Sequence, residues 1–390
     1  MIKTINRLME INMDKNIQKW IWQHEVYPHF RFDSSKLTDR LIKIEHHRGI
    51  LEGISKLIAQ DDSALINIDT FLEEAINTSA IEGEIFQRQS VRDSLLKKLD
   101  ANFDSSKDSS THQSDNLVEI LVDCATNRSP LTEDRLHGWH NCLFENRFNA
   151  LEKIRVASFR ESDDMEVVSG AIGHEKVHYK APPSSLIADD IARLLRYCNE
   201  SDTNAYIKSA IAYLWFVIIH PYEDGNGRIA RAIADYIISL HIPKGTPKLY
   251  SLSSAINKKK KEYYKILDRT TNLFYNRDYD ITPWLEWHLD MFDEAMLLSQ
   301  NNITYIIQKT KFWDRCRDKE LNERQIKVLN KILNIGVDGF DGGLSTKKYL
   351  SITKTSKATA ARDIKELVDK GCIKQVAGTS GRSTRYEVVL

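Results

Sequence analysis

Fifteen residues constrain this chain more than any other stretch: 205–219, AYIKSAIAYLWFVII, are apolar on nearly every side. A helix with that pattern is covered all round, so it belongs inside a packed body. It is too short to cross a membrane, which takes roughly 18 apolar residues, and no other run reaches that length. Its cover has to come from other helices, and the sequence supplies them. LIKIEHHRGILEGISKLIAQ (41–60) and IDTFLEEAINTSAIEGE (68–84) repeat apolar residues at spacings of three and four. DNLVEILVDCAT, TEDRLHGWHNCLF, SLIADDIARLLRYCNE and residues 229–240, 253–270 and 281–300 continue the pattern. Two stretches break it. ANFDSSKDSSTHQSD (101–115) is polar and turn-rich and reads as a loop. Residues 155–181 carry β-branched residues, a Ser-Gly break and a Pro-Pro stop, which predicts a short hairpin. The aromatic-rich segment 17–32, IQKWIWQHEVYPHFRF, is expected to pack as an N-terminal cap.

The whole chain adds bounds. At 390 residues it has room for two or three domains. Lys+Arg and Asp+Glu both number 55, so no global charge attracts nucleic acid or a membrane, and any such function needs a local patch. The five cysteines (Cys124, Cys142, Cys198, Cys316, Cys372) are odd in number and lack metal-ligand spacing, which points to free thiols in a reducing cytoplasm. No signal-type apolar region opens the chain, so a cytoplasmic protein without membrane partners is expected. Met13 stands as a second candidate start.

The central helix runs directly into polar chemistry: His220-Pro221-Tyr222-Glu223-Asp224-Gly225-Asn226-Gly227-Arg228-Ile229-Ala230-Arg231. Pro221 disfavours helical geometry in the residue before it, so the helix has to end there. Gly225 and Gly227 permit tight backbone and close approach, and RIARAIADYIIS restarts a helix. The polar residues therefore form a loop feeding a helix N-terminus, where unpaired amides and the dipole favour an anion. Arg228 and Arg231, three apart, add cations suited to phosphates. Asp224 beside such an anion calls for a bridging cation, and Mg²⁺ held by a carboxylate and phosphate oxygens satisfies that. His220 is a base that is available near neutral pH. Together these groups describe transfer of a phosphorus-centred group to a hydroxyl. Each piece has a plain structural alternative (a capping histidine, a Gly-Asn-Gly turn, a solvated arginine pair); their order in one loop argues against chance.

This run resembles the signature of Fic-domain proteins, HPFx(D/E)GNGRxxR, with Tyr222 in place of phenylalanine. The resemblance implies protein adenylylation: transfer of AMP from ATP to a Ser, Thr or Tyr hydroxyl of a target protein. It makes His220 the general base and Asp224 the Mg²⁺ ligand. Asn226, the glycines Gly225 and Gly227, and Arg228 would hold the α- and β-phosphates, and Arg231 the γ-phosphate. The hairpin resembles the family's flap, which holds a target peptide by strand addition. SLSSAINKKKKEYYKILDRTT (251–271) resembles the segment lining the adenine pocket, with Tyr263 and Tyr264 as candidates and core packing as their alternative.

A second motif lies upstream. Glu82 ends an amphipathic helix with Gly83 at the C-cap position, where a carboxylate opposes the helix dipole at about 0.3–1 kcal/mol. Thr78-Ser79-Ala80-Ile81-Glu82-Gly83 resembles (S/T)xxxE(G/N), the inhibitory motif of self-restrained Fic proteins. That likeness pairs Glu82 with Arg231 and takes the arginine from the γ-phosphate, leaving an enzyme inactive at rest.

Residues 321–390 change character: a helix, a short helix, a turn, a longer helix from about Ser356 and two strands, the order of a winged helix-turn-helix. Residues 344–390 hold ten Lys/Arg against four Asp/Glu, a net +6. Lys357 and Arg362 on the recognition helix, and Arg382 and Arg385 on the wing, are candidate DNA-phosphate contacts. Protein docking is the alternative use of such a module.

The expected architecture is mainly α: an N-terminal helical region (1–115) with an inhibitory helix at about 68–83, a Fic-type helical core with a short flap (116–300), and a winged helix with its connecting helix (301–390). The expected function is self-inhibited protein adenylylation using ATP and Mg²⁺. The expected partners are a hydroxyl-bearing target protein, DNA, and a second copy of the chain through the helical region. The rival is a DNA-binding regulator whose Fic core senses a nucleotide; it has no need of His220.

Overall fold

A computed structural model describes residues 18–57, 60–100, 103–104, 106, 108–144, 154–169, 176–333 and 342–390. The Met13 reading lies outside them. The chain divides into two compact units, Met1–Leu297 and Leu298–Leu390.

The first unit is helical, with one small sheet. Its elements are α1 (Thr38–Leu57), α2 (Gln60–Ile81), α3 (Arg88–Leu99), α4 (His112–Thr126), α5 (Glu133–Phe144), β1 (Glu166–Ser169) and β2 (Lys176–Lys180). They are followed by α6 (Ile187–Glu200), α7 (Ala205–Ile219), α8 (Asn226–His241), α9 (Leu252–Lys258), α10 (Lys260–Thr271) and the opening of α11 (Thr282–Cys316). The apolar run is α7. Asn204 caps it by accepting from the Tyr206 amide at 3.0 Å, and every residue from Tyr206 to Phe216 is buried. It packs along α8 on one side and α6 on another, and Trp284 of α11 donates to the Ala210 carbonyl at 2.9 Å. The other side of α8 rests on α4, while α2 lies against α3, α4 and α9. This packing brings the end of α2 beside the start of α8.

The hairpin is antiparallel, pairing Glu166 with Lys180 and Val167 with Tyr179 before its register slips between Val167 and Val168. The N-terminal aromatic segment holds it down. Trp22 donates to the Lys180 carbonyl at 2.9 Å, Trp20 meets Tyr179 edge to face, and Trp215 of α7 donates to the Tyr27 hydroxyl at 3.1 Å.

Two sequence expectations need correction. The polar run 101–115 is not all loop: α4 starts at His112, capped by Thr111, whose hydroxyl accepts from the Ser114 amide at 3.2 Å. Hydroxyl-rich residues that suit a turn also suit a helix start. The expected domain limit at 115 lies within α4, and the one at 300 lies close to the boundary between the two units at Leu297 and Leu298. The helix expected over 253–270 breaks at Lys259, which leaves helical geometry between α9 and α10.

In the second unit, α12 (Glu323–Leu333), α13 (Thr346–Thr353) and α14 (Lys357–Asp369) precede β3 (Ile373–Gln375) and β4 (Tyr386–Val388), an antiparallel pair. Phe312, Val328, Leu329, Tyr349, Ile364 and Leu367 pack together in its core. Buried Asp363 accepts from Arg324 at 2.8 Å and from the Tyr349 hydroxyl at 2.9 Å. All five cysteines are free. Two of them, distant in sequence, are neighbours here: Cys316 Sγ and Cys372 Sγ lie 3.5 Å apart. Among the described residues no helix is long and apolar enough to cross a membrane.

Candidate active site

The loop between α7 and α8 is built by a few backbone demands. His220 ends α7 in the left-handed region, at φ 49° and ψ 58°, and its amide still donates to the Phe216 carbonyl at 3.0 Å. Gly225 has φ 82° and turns the chain into α8; a Cβ there would lie 2.8 Å from the Phe144 ring. Asn226 closes the loop on itself. Its Oδ1 accepts from the Tyr222 amide at 3.0 Å, and its Nδ2 donates to the Tyr222 carbonyl at 2.7 Å. That buried amide holds the loop closed. Tyr222, fully buried, stacks on His140 at 4.1 Å, and its hydroxyl lies 2.9 Å from His137 Nδ1. That contact answers the need created by tyrosine in place of phenylalanine.

The two arginines point from the first two turns of α8 towards the end of α2. Arg231 is 2% exposed. Its Nη2 donates to Glu82 Oε1 at 2.7 Å and to the Thr78 carbonyl at 3.0 Å, and its Nε donates to the Thr78 hydroxyl at 2.7 Å. Arg228, also buried, pairs with Glu84 Oε2 at 2.7 Å, lies 3.7 Å from Asp224, and sits over the Phe144 ring. Its Nε has no hydrogen-bond partner among the described residues. Glu82 reaches the loop because α2 stops at Ile81 and Gly83 takes φ 85°. The Glu84 amide then folds back to the Ser79 carbonyl at 3.0 Å. A Cβ at Gly227 would collide with the Glu82 carboxylate. Glu82 thus occupies the space at the helix N-terminus where an anion is favoured.

The charges are mutually supporting. Burial would raise the Glu82 carboxyl, but Arg231 beside it holds it below the usual carboxylate range. Burial would likewise lower the Arg231 guanidinium, yet Glu82 raises it. For His220, burial pushes the imidazole down to about 4, against the bond to the Val217 carbonyl, with Arg160 adding to the lowering. The ring is therefore neutral at pH 7. A bound polyphosphate would raise its pKa and strengthen it as a base.

Asp224 is exposed on the loop and accepts from the Gly225 amide at 2.6 Å. Tyr263 is buried, with its hydroxyl 2.8 Å from that of Tyr213, which matches the core-packing alternative. Tyr264 is half exposed and donates to the Ile81 carbonyl at 2.9 Å; Lys260 donates to the Ala80 carbonyl at 2.9 Å. Both cap the end of α2. Glu84 and Lys260 were not singled out in the sequence. The first could have been noticed, because Glu82-Gly83-Glu84 flanks a turn with two carboxylates; the second is one of four consecutive lysines and carries no distinguishing signal. A cavity of about 500 Å³ lies elsewhere, by the far end of α8 near Asp235, Ile238 and Lys248. The DNA-phosphate candidates belong to the second unit. Lys357 and Arg362 are exposed on α14, Arg385 is half buried, and the side chain of Arg382 lies outside the described set.

Comparison with known proteins fits this geometry. Residues 130–238 match the Fic/DOC family, and residues 20–101 match a domain of unknown function, DUF4172. A Fic family protein from Desulfovibrio desulfuricans superposes with a TM-score of 0.51 at 16% identity, over 90% of this chain and 95% of that one. A Fic domain containing signaling protein from Bacteroides thetaiotaomicron gives 0.49 at 17% identity, over 66% and 95%. Fic-1 from C. elegans gives 0.45 at 16%, over 67% and 72%. The mainly helical first unit with its two-stranded sheet is the Fic fold.

Proposed function

We propose that this chain, with a Fic/DOC match at 130–238 and the Fic fold, is a self-restrained protein adenylyltransferase. The observation that carries the reading is the pair of buried guanidiniums at the start of α8, Arg228 and Arg231, held by Glu84 and Glu82 from the end of α2. Two buried cations at a helix N-terminus are a polyphosphate site, and the carboxylates stand where its oxygens would go.

In this reading Arg231 takes the γ-phosphate once Glu82 withdraws, and Arg228 takes the inner phosphates once Glu84 does. The Gly227 backbone leaves room for close approach. Asp224, exposed beside Arg228, would hold Mg²⁺, which would supply further neutralisation of the phosphates. Neutral His220 accepts the proton of the target hydroxyl as its oxygen bonds to the α-phosphorus, and pyrophosphate leaves. The exposed edge of the hairpin receives the target peptide by strand pairing. Tyr264 keeps its place as the adenine-pocket candidate. With Glu82 on Arg231 the triphosphate lacks one clamp, and small displacements from in-line geometry are costly.

The second unit supports the winged helix reading. Lys357 and Arg362 lie exposed on α14, while Ala360, Asp363, Ile364 and Leu367 face its core. That is the charge distribution of a helix that can approach DNA phosphates.

Label transfer from α-³²P-ATP and γ-³²P-ATP tests the function in wild type, Glu82→Gly and Glu82→Gly/His220→Ala. Label from the α position alone, strongest in Glu82→Gly and absent without His220, is expected. Label from the γ position would make the enzyme a kinase. No label from either nucleotide in the released variant, given a panel of candidate targets, would favour the nucleotide-sensing regulator.

A further inference from the structure

We infer that Arg160 is a positioning residue: its buried guanidinium ties the loop carrying His220 to both ends of the hairpin, fixing base and peptide platform in one register. The inference rests on the adenylyltransferase reading for what those two parts do.

Arg160 is 2% exposed. Its Nε donates to the His220 carbonyl at 2.8 Å, and its Nη2 donates to the Pro182 carbonyl at 2.6 Å and the Ile219 carbonyl at 3.5 Å. Its Nη1 donates to the Ser162 carbonyl. The Arg160 amide adds a bond to the Pro221 carbonyl at 2.9 Å. Ser162 precedes β1 and Pro182 follows β2, so one side chain closes the base of the hairpin and joins it to the catalytic loop. Among the described residues it forms no ion pair. Its charge is instead met by carbonyls at the C-terminus of α7, where unpaired carbonyls and the dipole favour a cation. The rigid fork of arginine can serve several diverging carbonyls, which the single ammonium of lysine cannot.

His220 needs this support. A non-glycine residue at φ 49° is held against its own preference by its surroundings. Two of Arg160's bonds fall on the carbonyls of His220 and Pro221, the two residues that make the turn. The charged groups around the ring are Arg160, ahead of the hairpin, and Glu82, from the end of α2. Glu223 and Asp224 lie on its own loop, and the hairpin's Tyr179 spends its hydroxyl on the Ile218 carbonyl at 2.7 Å. In the Glu82→Gly protein, burial remains the main reason the imidazole stays in its basic form, and Arg160 adds to it.

The experiment uses the full chain in the Glu82→Gly background, with Arg160→Lys and Arg160→Met. It reads the NMR titration of the His220 ring, hydrogen exchange of amides 176–180, melting temperature and label transfer. Arg160→Met is expected to raise the His220 midpoint by about half a unit or more. Hairpin exchange should quicken about tenfold, and kcat should fall about 100-fold with little change in KM for ATP. Arg160→Lys is expected to keep the parent midpoint yet exchange faster and transfer more slowly, separating charge from geometry. A parent-like midpoint and hairpin exchange in Arg160→Met would overturn the inference and reduce the residue to a stabilising contact. If Arg160→Met does not fold, hairpin exchange in Arg160→Lys decides in the same way. Absence of transfer in the parent would remove the adenylyltransferase reading, while titration and exchange would still rule on Arg160.

Discussion

Replacing Glu82 should destabilise the empty protein and tighten its grip on nucleotide at the same time. The Glu82–Arg231 pair is 2.7 Å long, with side chains 29% and 2% exposed. Removing one partner of a buried pair costs about 3–5 kcal/mol because the other charge is left uncompensated. Arg231 keeps two bonds to Thr78, and Glu82 has one edge in water, so the cost here is about 2–3 kcal/mol. A triphosphate entering the wild type has to displace the carboxylate and bear that cost; in Glu82→Gly it does not. Nucleotide affinity should therefore rise about 30- to 150-fold. The free variant should melt about 4–12 °C lower, at about 2–4 °C per kcal/mol for a unit this large. Saturating ATP should return more than that loss. Glu82→Gln keeps the shape and a neutral acceptor, and should fall between the two. Calorimetric titration with ATP and Mg²⁺, alongside melting curves, checks each point. A folded Glu82→Gly protein with wild-type affinity and wild-type melting would refute the argument, because Arg231 would then not be the group the carboxylate guards.

Three further outcomes follow from the same geometry. Glu84→Gln should raise nucleotide affinity by itself and further in combination with Glu82→Gln, since Arg228 is occupied by Glu84 as Arg231 is by Glu82; unchanged titrations in both backgrounds would remove Glu84 from the site. Because Glu82 is held below the ordinary carboxylate range, its pairing is intact above its unfolded pKa of about 4.3 and is lost as pH falls through the lower folded value. The affinity gap between wild type and Glu82→Gln should then be flat from about pH 5.5 to 8 and close only in stronger acid, as titrations across that range would show. Lys357→Glu/Arg362→Glu should weaken duplex-DNA binding and lower its salt slope by about two, measured by fluorescence anisotropy, with label transfer unchanged.

The helical fold was legible because its signal is a long-range repetition: α7 is apolar all round, and no surface helix would be. The places where that reading failed are short and local. Thr111 and Ser114 serve a helix start as readily as a turn, so composition alone could not tell where α4 begins. The break at Lys259 falls inside four lysines that fit a helix equally well, so their type carries no sign of it. The closeness of Cys316 and Cys372 was hidden for another reason, since it depends on a contact between residues 56 apart.

At the site, the placements that were legible are those a loop imposes on itself. His220, Gly225, Gly227 and the arginine pair could be read in order because spacing along one turn fixes where they stand. Tyr222 was readable as a hydroxyl in need of a partner, but His137 was not readable as that partner, because it comes from α5. Asn226 shows the limit from the other side. Its type fits a phosphate contact, but its bonds to the Tyr222 backbone, which close the loop, could not be read from spacing alone. Arg160 was silent for the same reason as His137: its partners are carbonyls, which any sequence offers everywhere, and only the fold decides which four it meets. The two carboxylates paired with the arginines divide along this line. Glu82 could be read from its motif, whereas Glu84 gained its meaning only when the turn at Gly83 swung it onto Arg228. Two buried guanidiniums side by side need two partners, and the end of α2 supplies both.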